Sequence, residues 1–245
     1  MILLENRTLQ IAVKEMGAEL TRLFHKPTKR EYLWQGGPAW PRQSPILFPA
    51  IDGFVQGTYL WNGHPYQMPP HGFARDLPFS LYRQTEEQVT LCLESSVQTH
   101  ALYPFDFKLF VSYRLSGNRL RVEWTVKNTG EHTMYYAIGG HPGFRLDRGT
   151  ALTDYALTFD RPVRLAARRM DGRLVSRSTY PIAEKSDHLP LSPTLLENDS
   201  LAFESGIRTV TLENPRTGYR LQMDLTGAPI LAVWTDPETV QHAEF

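Results

Sequence analysis

Between Phe107 and Val126, apolar residues recur at every second position. Phe107, Leu109, Val111, Tyr113 and Leu115 are followed, beyond Ser116-Gly-Asn-Arg119, by Leu120, Val122, Trp124 and Val126. Period two places one set of side chains on one face of an extended chain, and the glycine-containing break marks a reversal. The pattern predicts a β-hairpin. A second one follows, where Val210 and Leu212 lead into Asn214-Pro-Arg-Thr-Gly218 and Tyr219, Leu221, Met223 and Leu225 then share a face. No window of a dozen residues carries a helical apolar stripe free of Pro, Gly or β-branched runs. The charged stretch from Ala166 to Ser178 reads as a loop or an exposed hairpin. The 17 glycines and 18 prolines are spread along the chain instead of pooled in a linker, which suits many short strands joined by turns. The expectation is an all-β chain forming one domain over residues 1–245.

Composition narrows the function classes. Lys plus Arg and Asp plus Glu each number 26, so no net field attracts nucleic acid or an anionic membrane. A small neutral ligand fits that balance better. The single cysteine, Cys92, lies in the apolar run Val89-Thr-Leu-Cys-Leu93, which leaves no intramolecular disulfide and no multi-cysteine zinc site. The start, Met1-Ile-Leu-Leu-Glu-Asn-Arg-Thr8, lacks a basic leader and a cleavage site, and no later run reaches the ~18 apolar residues of a membrane span. A cytoplasmic protein is expected.

Two motifs concentrate the chemistry. Pro69-Pro70 precede His71-Gly-Phe-Ala-Arg-Asp76, in which Gly72 permits a turn or a close approach and Arg75 is a fixed-charge donor for hydroxyls or phosphate. The plainer reading is a surface turn with Arg75 paired to Asp76. The second motif, Gly139-Gly-His-Pro-Gly-Phe144, follows the strand-like Met134-Tyr-Tyr-Ala-Ile138 and presents His141 at a strand end under strong backbone constraint. The plainer reading there is a histidine that caps strand backbone groups. His25, His64, His100, His132, His188 and His242 share no ligand spacing, and no catalytic metal is expected. Dinucleotide, phosphate-loop and nucleophile-elbow signatures are likewise missing. Trp34, Trp40, Trp61, Trp234, Phe73 and Phe144 could stack on a pyranose ring, although core packing is the better reading of any single one. The stretch from Trp34 to Asp76, rich in Gly, Pro and aromatics, reads as a long functional loop region.

These motifs resemble the aldose 1-epimerase family, the galactose mutarotase-like proteins, and especially its shorter bacterial branch. The resemblance rests on Gly17-Ala-Glu-Leu20, Glu31-Tyr-Leu-Trp-Gln-Gly36, Trp40 followed by Ser44-Pro-Ile-Leu-Phe-Pro49, the two histidine motifs, Asn198-Asp-Ser-Leu201 and Val233-Trp-Thr235. They occur in the family's order across nearly the whole chain. The resemblance implies a large antiparallel β-sandwich with a sugar site on a concave face. It also implies a cofactor-free reaction, in which a carboxylate takes the anomeric proton, a histidine protonates the ring oxygen, and the opened sugar recloses as the other anomer. His141 then corresponds to the general acid and His71 to the second histidine near the ring and C1 oxygens. Arg75 becomes a hydroxyl or phosphate contact, with Arg42, Phe144, Asp199 and Trp234 as further sugar-binding candidates. The partner is a hexose or hexose phosphate, and the protein is expected to be a monomer or a homodimer.

The family's base is a glutamate in a Cys-Ile-Glu-Pro-Trp-like strand. This chain ends at Val240-Gln-His-Ala-Glu-Phe245, and Glu244 falls several residues ahead of the matching position, so the base role is not transferred to it. The family's final strands would be missing with it. Truncation is the favoured explanation; the alternative is a carbohydrate-binding protein without efficient turnover. A smaller departure is Ile51-Asp-Gly53, where the family has an apolar residue, glycine and often arginine.

Overall fold

The computed structural model describes residues 1–235 apart from 173, 198, 199, 204, 205 and 226. The chain divides into two compact units, one of residues 1–37 and 41–145 and one of residues 38–40 with everything from 146 onward.

In the first unit, β1 (Ile2–Glu5), β2 (Leu9–Val13), β3 (Leu20–His25) and β4 (Arg30–Glu31) form an antiparallel sheet in chain order. Next come the short β5 (Ile46–Leu47) and a hairpin of β6 (Thr58–Trp61) and β7 (His64–Gln67). β8 (Ser80–Gln84), β9 (Gln88–Glu94), β10 (Phe107–Ser116) and β11 (Arg119–Asn128) form a second four-stranded antiparallel sheet. The last strand of the unit, β12 (Gly139–Gly140), pairs antiparallel with β5.

The alternation that predicts the first hairpin is what folds it. Phe107, Leu109, Val111, Tyr113 and Leu115 are all buried, while the residues between them face outward. Those side chains join Ile11 and Val13 of β2 and Leu91 of β9 in one apolar core, so two sheets bury their inner faces against each other. Phe48 sits at its centre, 5.1 Å from the Phe107 ring and 6.4 Å from Phe73. Cys92 is buried in β9, where both neighbouring strands pair with it, and burial, then the Glu94 charge, push its thiol up. Tyr113 is withdrawn from solvent as well, and its hydroxyl donates to the Ala18 carbonyl at 2.7 Å. Burial, followed by the negative charge of Glu19, pushes that phenol up, so it remains a donor.

The second unit is built on β13 (Ala156–Asp171) and β14 (Leu174–Pro190), with β15 (Leu201–Phe203), β16 (Thr209–Asn214), β17 (Tyr219–Asp224) and β18 (Leu231–Val233). The sheet runs β17-β16-β13-β15-β18, with β14 pairing β13. The Ala166–Ser178 segment is therefore hairpin and not loop, interrupted by register shifts that bend the ribbon. β16 and β17 form the second predicted hairpin, with Asn214 opposite Tyr219.

Helix is confined, among the described residues, to the single α-helical turn Val97–His100 and four short 3-10 segments. No described helix is long and apolar enough to cross a membrane. Met134–Ile138, strand-like in sequence, is not a strand, although Ala137 N–H donates to the Pro49 carbonyl at 2.8 Å.

Candidate active site

His71 is carried by a turn. Gly72 N–H donates to the Pro69 carbonyl at 3.0 Å, with Pro70 and His71 as the central residues and His71 at φ 65°. Proline followed by a positive-φ residue is the signature of a type II turn, and a non-glycine residue there costs about 1 kcal/mol or more. Two bonds to Asp52 offset that cost. His71 N–H donates to the Asp52 carbonyl at 2.9 Å, and Asp52 N–H donates to His71 Nδ1 at 3.0 Å. Because Nδ1 must offer a lone pair, neutral His71 carries its proton on Nε2.

Gly72, also at positive φ, lies so close to Phe48 that an added Cβ would be 2.1 Å from its carbonyl oxygen. Only glycine fits there. Phe73 and Ala74 N–H groups then share the same carbonyl at 3.0 and 3.1 Å, which fixes the chain leading to Arg75.

His141 is presented differently. Gly139 and Gly140 pair with Leu47 and Ile46, and an added Cβ would lie 3.1 Å from Ile51 Cδ1 at the first and 3.0 Å from the Trp124 ring at the second. Immediately after this strand, His141 N–H donates to the Pro45 carbonyl at 3.0 Å and Gly143 N–H to the Gln43 carbonyl at 2.8 Å. The main chain is thereby held on both sides of the imidazole.

The two motifs, 70 residues apart in sequence, bring their rings together: the His71 and His141 centroids are 5.8 Å apart with planes at 82°. Burial pushes the His141 imidazole below its ordinary 6.5, the charge of Arg75 adds to that, and a hydrogen bond with its own carbonyl opposes both. Arg75 donates to the Pro70 carbonyl at 2.7 Å, so it braces the His71 turn as well as acting on His141 through its charge. Its guanidinium also stands 3.6 Å from Asp76, whose other oxygen accepts from Arg42 at 2.8 Å. The Arg75 and Asp76 pair of the plainer reading thus exists, and Arg42 joins it.

The remaining candidates make other contacts or are not described. Phe144 bridges to Leu33 and packs against the first unit's core. Phe73 is core, among Phe48, Tyr103 and Phe107. Trp61 packs on Phe105 and Tyr135. Trp234 belongs to the second unit, where its ring meets Trp40 at 5.9 Å. Asp199 and Glu244 lie outside the described residues. Among the described residues no group of three or more His, Cys, Asp or Glu is arranged to hold a metal ion.

Three further contributors act through bonds that the sequence does not reveal. Asp52 acts through its main chain, in the segment whose sequence departs from the family pattern. Pro45 offers a carbonyl. Glu19 is fully buried, and its Oε1 accepts from the Gln43 and Ser44 N–H groups at 2.7 and 2.9 Å. Glu19 stands in the Gly17-Ala-Glu-Leu20 stretch, whose pattern does not say that its carboxylate bonds to main-chain N–H groups.

Comparison with known proteins identifies the family. The aldose 1-epimerase family profile matches residues 1–244. LacX, the plasmid-encoded protein of Lactococcus lactis subsp. lactis, is 31% identical over 247 residues, spanning 95% of this chain and 82% of LacX. A galactose mutarotase-like protein from Lactobacillus casei superposes with a TM-score of 0.89 at 31% identity, over 96% of this chain and 83% of the other. A galactose mutarotase-related enzyme from Lactobacillus acidophilus gives 0.88 at 28% identity, over 96% and 80%. With its antiparallel all-β fold and its ordered motifs, the chain belongs to the aldose 1-epimerase family.

Proposed function

We propose that the protein interconverts the α and β anomers of a hexose by acid and base ring opening. The observation that carries this reading is the perpendicular pair of imidazoles, each fixed by backbone bonds, with His141 held below its ordinary pKa.

A lowered pKa makes the imidazolium a stronger acid. In the forward direction a base removes the proton of the C1 hydroxyl and the C1–O1 bond gains double-bond character. The C1–O5 bond breaks with its electron pair going to O5, which receives the proton from His141. Rotation about C1–C2 and the reverse transfers give the other anomer. His71, with its Nε2–H as donor, stabilises negative charge developing on the sugar oxygens. The base is not assigned, since Glu244 falls ahead of the family's position and lies outside the described residues.

The test is polarimetry or NMR exchange on freshly dissolved α-glucose and α-galactose. Catalytic amounts of protein should accelerate mutarotation and His141→Ala should remove the acceleration. Saturable sugar binding by calorimetry without any acceleration would replace the enzyme with a carbohydrate-binding protein.

A second reading, a hexose-6-phosphate 1-epimerase, is favoured by one observation: Arg75, whose charge acts on His141, and Arg42 both approach the Asp76 carboxylate. Two guanidiniums at one anion suit a phosphate. Higher kcat/KM on glucose 6-phosphate than on glucose would select it.

A further inference from the structure

Glu19 is fully buried in the loop between β2 and β3, a position that ring opening itself does not use. A buried carboxylate is costly unless it is paired and hydrogen-bonded. Here it is both: Oε2 meets Lys14 Nζ at 2.5 Å, and Oε1 accepts from two successive N–H groups, those of Gln43 and Ser44.

Those two residues belong to the segment that holds the His141 turn. The Gln43 carbonyl accepts from Gly143 N–H at 2.8 Å, and the Pro45 carbonyl accepts from His141 N–H at 3.0 Å. Gln43 and Ser44 therefore face Glu19 with their N–H groups, while Gln43 and Pro45 face the His141 turn with their carbonyls. The same loop reaches the other histidine motif, because an added Cβ at Gly17 would stand 2.7 Å from the Arg75 carbonyl oxygen. Tyr113 anchors the loop to β10 through the Ala18 carbonyl.

We propose that Glu19 is a positioning residue for His141: its buried carboxylate clamps Gln43 and Ser44, and through them fixes the two N–H groups that flank the imidazole. This rests on the reading of His141 as the acid. A proton donor displaced by about 1 Å from its productive position can lose a factor of roughly 10² in rate, so the clamp acts on turnover more than on sugar affinity.

The experiment compares Glu19→Ala, Glu19→Gln and wild type by amide hydrogen exchange and by kinetics on α-galactose. Glu19→Ala should speed exchange at His141 and Gly143 by at least tenfold while Leu109 in the core sheet stays protected. It should lower kcat roughly 10- to 100-fold with little change in KM. Glu19→Gln keeps a carbonyl oxygen that can accept both N–H groups, and should recover most of the protection and of kcat.

Wild-type exchange at His141 and Gly143 in Glu19→Ala overturns the proposal, as does a loss confined to thermal stability. If no form turns over sugar and exchange still responds as expected, the proposed reaction fails and the clamp stands. Should Glu19→Ala not fold, Glu19→Asp, whose carboxylate is drawn back by one methylene, is read the same way. Wild-type exchange and kcat in that variant overturn the proposal.

Discussion

The two histidine turns solve the same problem by different means. His71 is held by its ring as well as its backbone, because Asp52 bonds to Nδ1 and leaves Nε2 with the proton. His141 is held by main-chain bonds on either side, while burial and Arg75 act on its proton affinity. One imidazole has a fixed tautomer and the other an adjusted acidity. The difference suits a fixed donor beside a proton carrier, and it can be broken at several points.

The largest effect is expected at Gly72. Gly72→Ala would drive a methyl group into the Phe48 carbonyl at a residue already at positive φ, a cost of about 4 kcal/mol or more that should appear as loss of soluble protein or a much lower unfolding midpoint. His141→Ala comes next, with mutarotation slowed by about 10²- to 10⁴-fold in polarimetry while circular dichroism stays unchanged. Gly140→Ala meets only the Trp124 ring, which can shift, so roughly 1–3 kcal/mol of destabilisation is expected in a denaturant titration.

His71→Asn sharpens the comparison. Asparagine tolerates positive φ, and its Oδ1 can take the Asp52 N–H, but the Nε2 donor is gone. The unfolding midpoint should therefore hold while kcat falls, by less than in His141→Ala.

The smallest effects concern pH. If the protonated His141 is the acid, kcat/KM should fall as pH rises through its depressed pKa, below 6.5, and Arg75→Gln should move that limb upward by removing a positive charge. Neutral His141 likewise contributes stability that is present above about pH 6.5 and lost as pH falls through the lowered value. NMR titration of the ring and unfolding midpoints against pH would check both.

Much of this was legible because strands write themselves in alternation. The turn at Gly117-Asn118 and the one after Asn214 fall where the period breaks. The histidine motifs were legible through their glycines, of which Gly72, Gly139 and Gly140 have a steric reason. Met134–Ile138 misled because apolar and aromatic residues there serve packing, with Tyr136 against Phe48, and not a sheet ladder. The charged Ala166–Ser178 stretch was left open between loop and hairpin because alternating exposure hides among arginines. Asp52 and Pro45 were illegible for a deeper reason: they act through backbone atoms that every residue has. The division into two units leaves no composition shift to read.

Cys92 adds a practical consequence. The chain carries one thiol, and it lies in the middle strand pair of a sheet whose opening would expose the first unit's core. With the residue 6% exposed and its thiolate disfavoured by burial, it should react slowly in the folded protein and faster when this sheet loosens. The rate at which a thiol reagent labels the native protein is thus a gauge of loosening around that sheet, internal to every variant. It separates a substitution that disturbs proton transfer from one that loosens the scaffold.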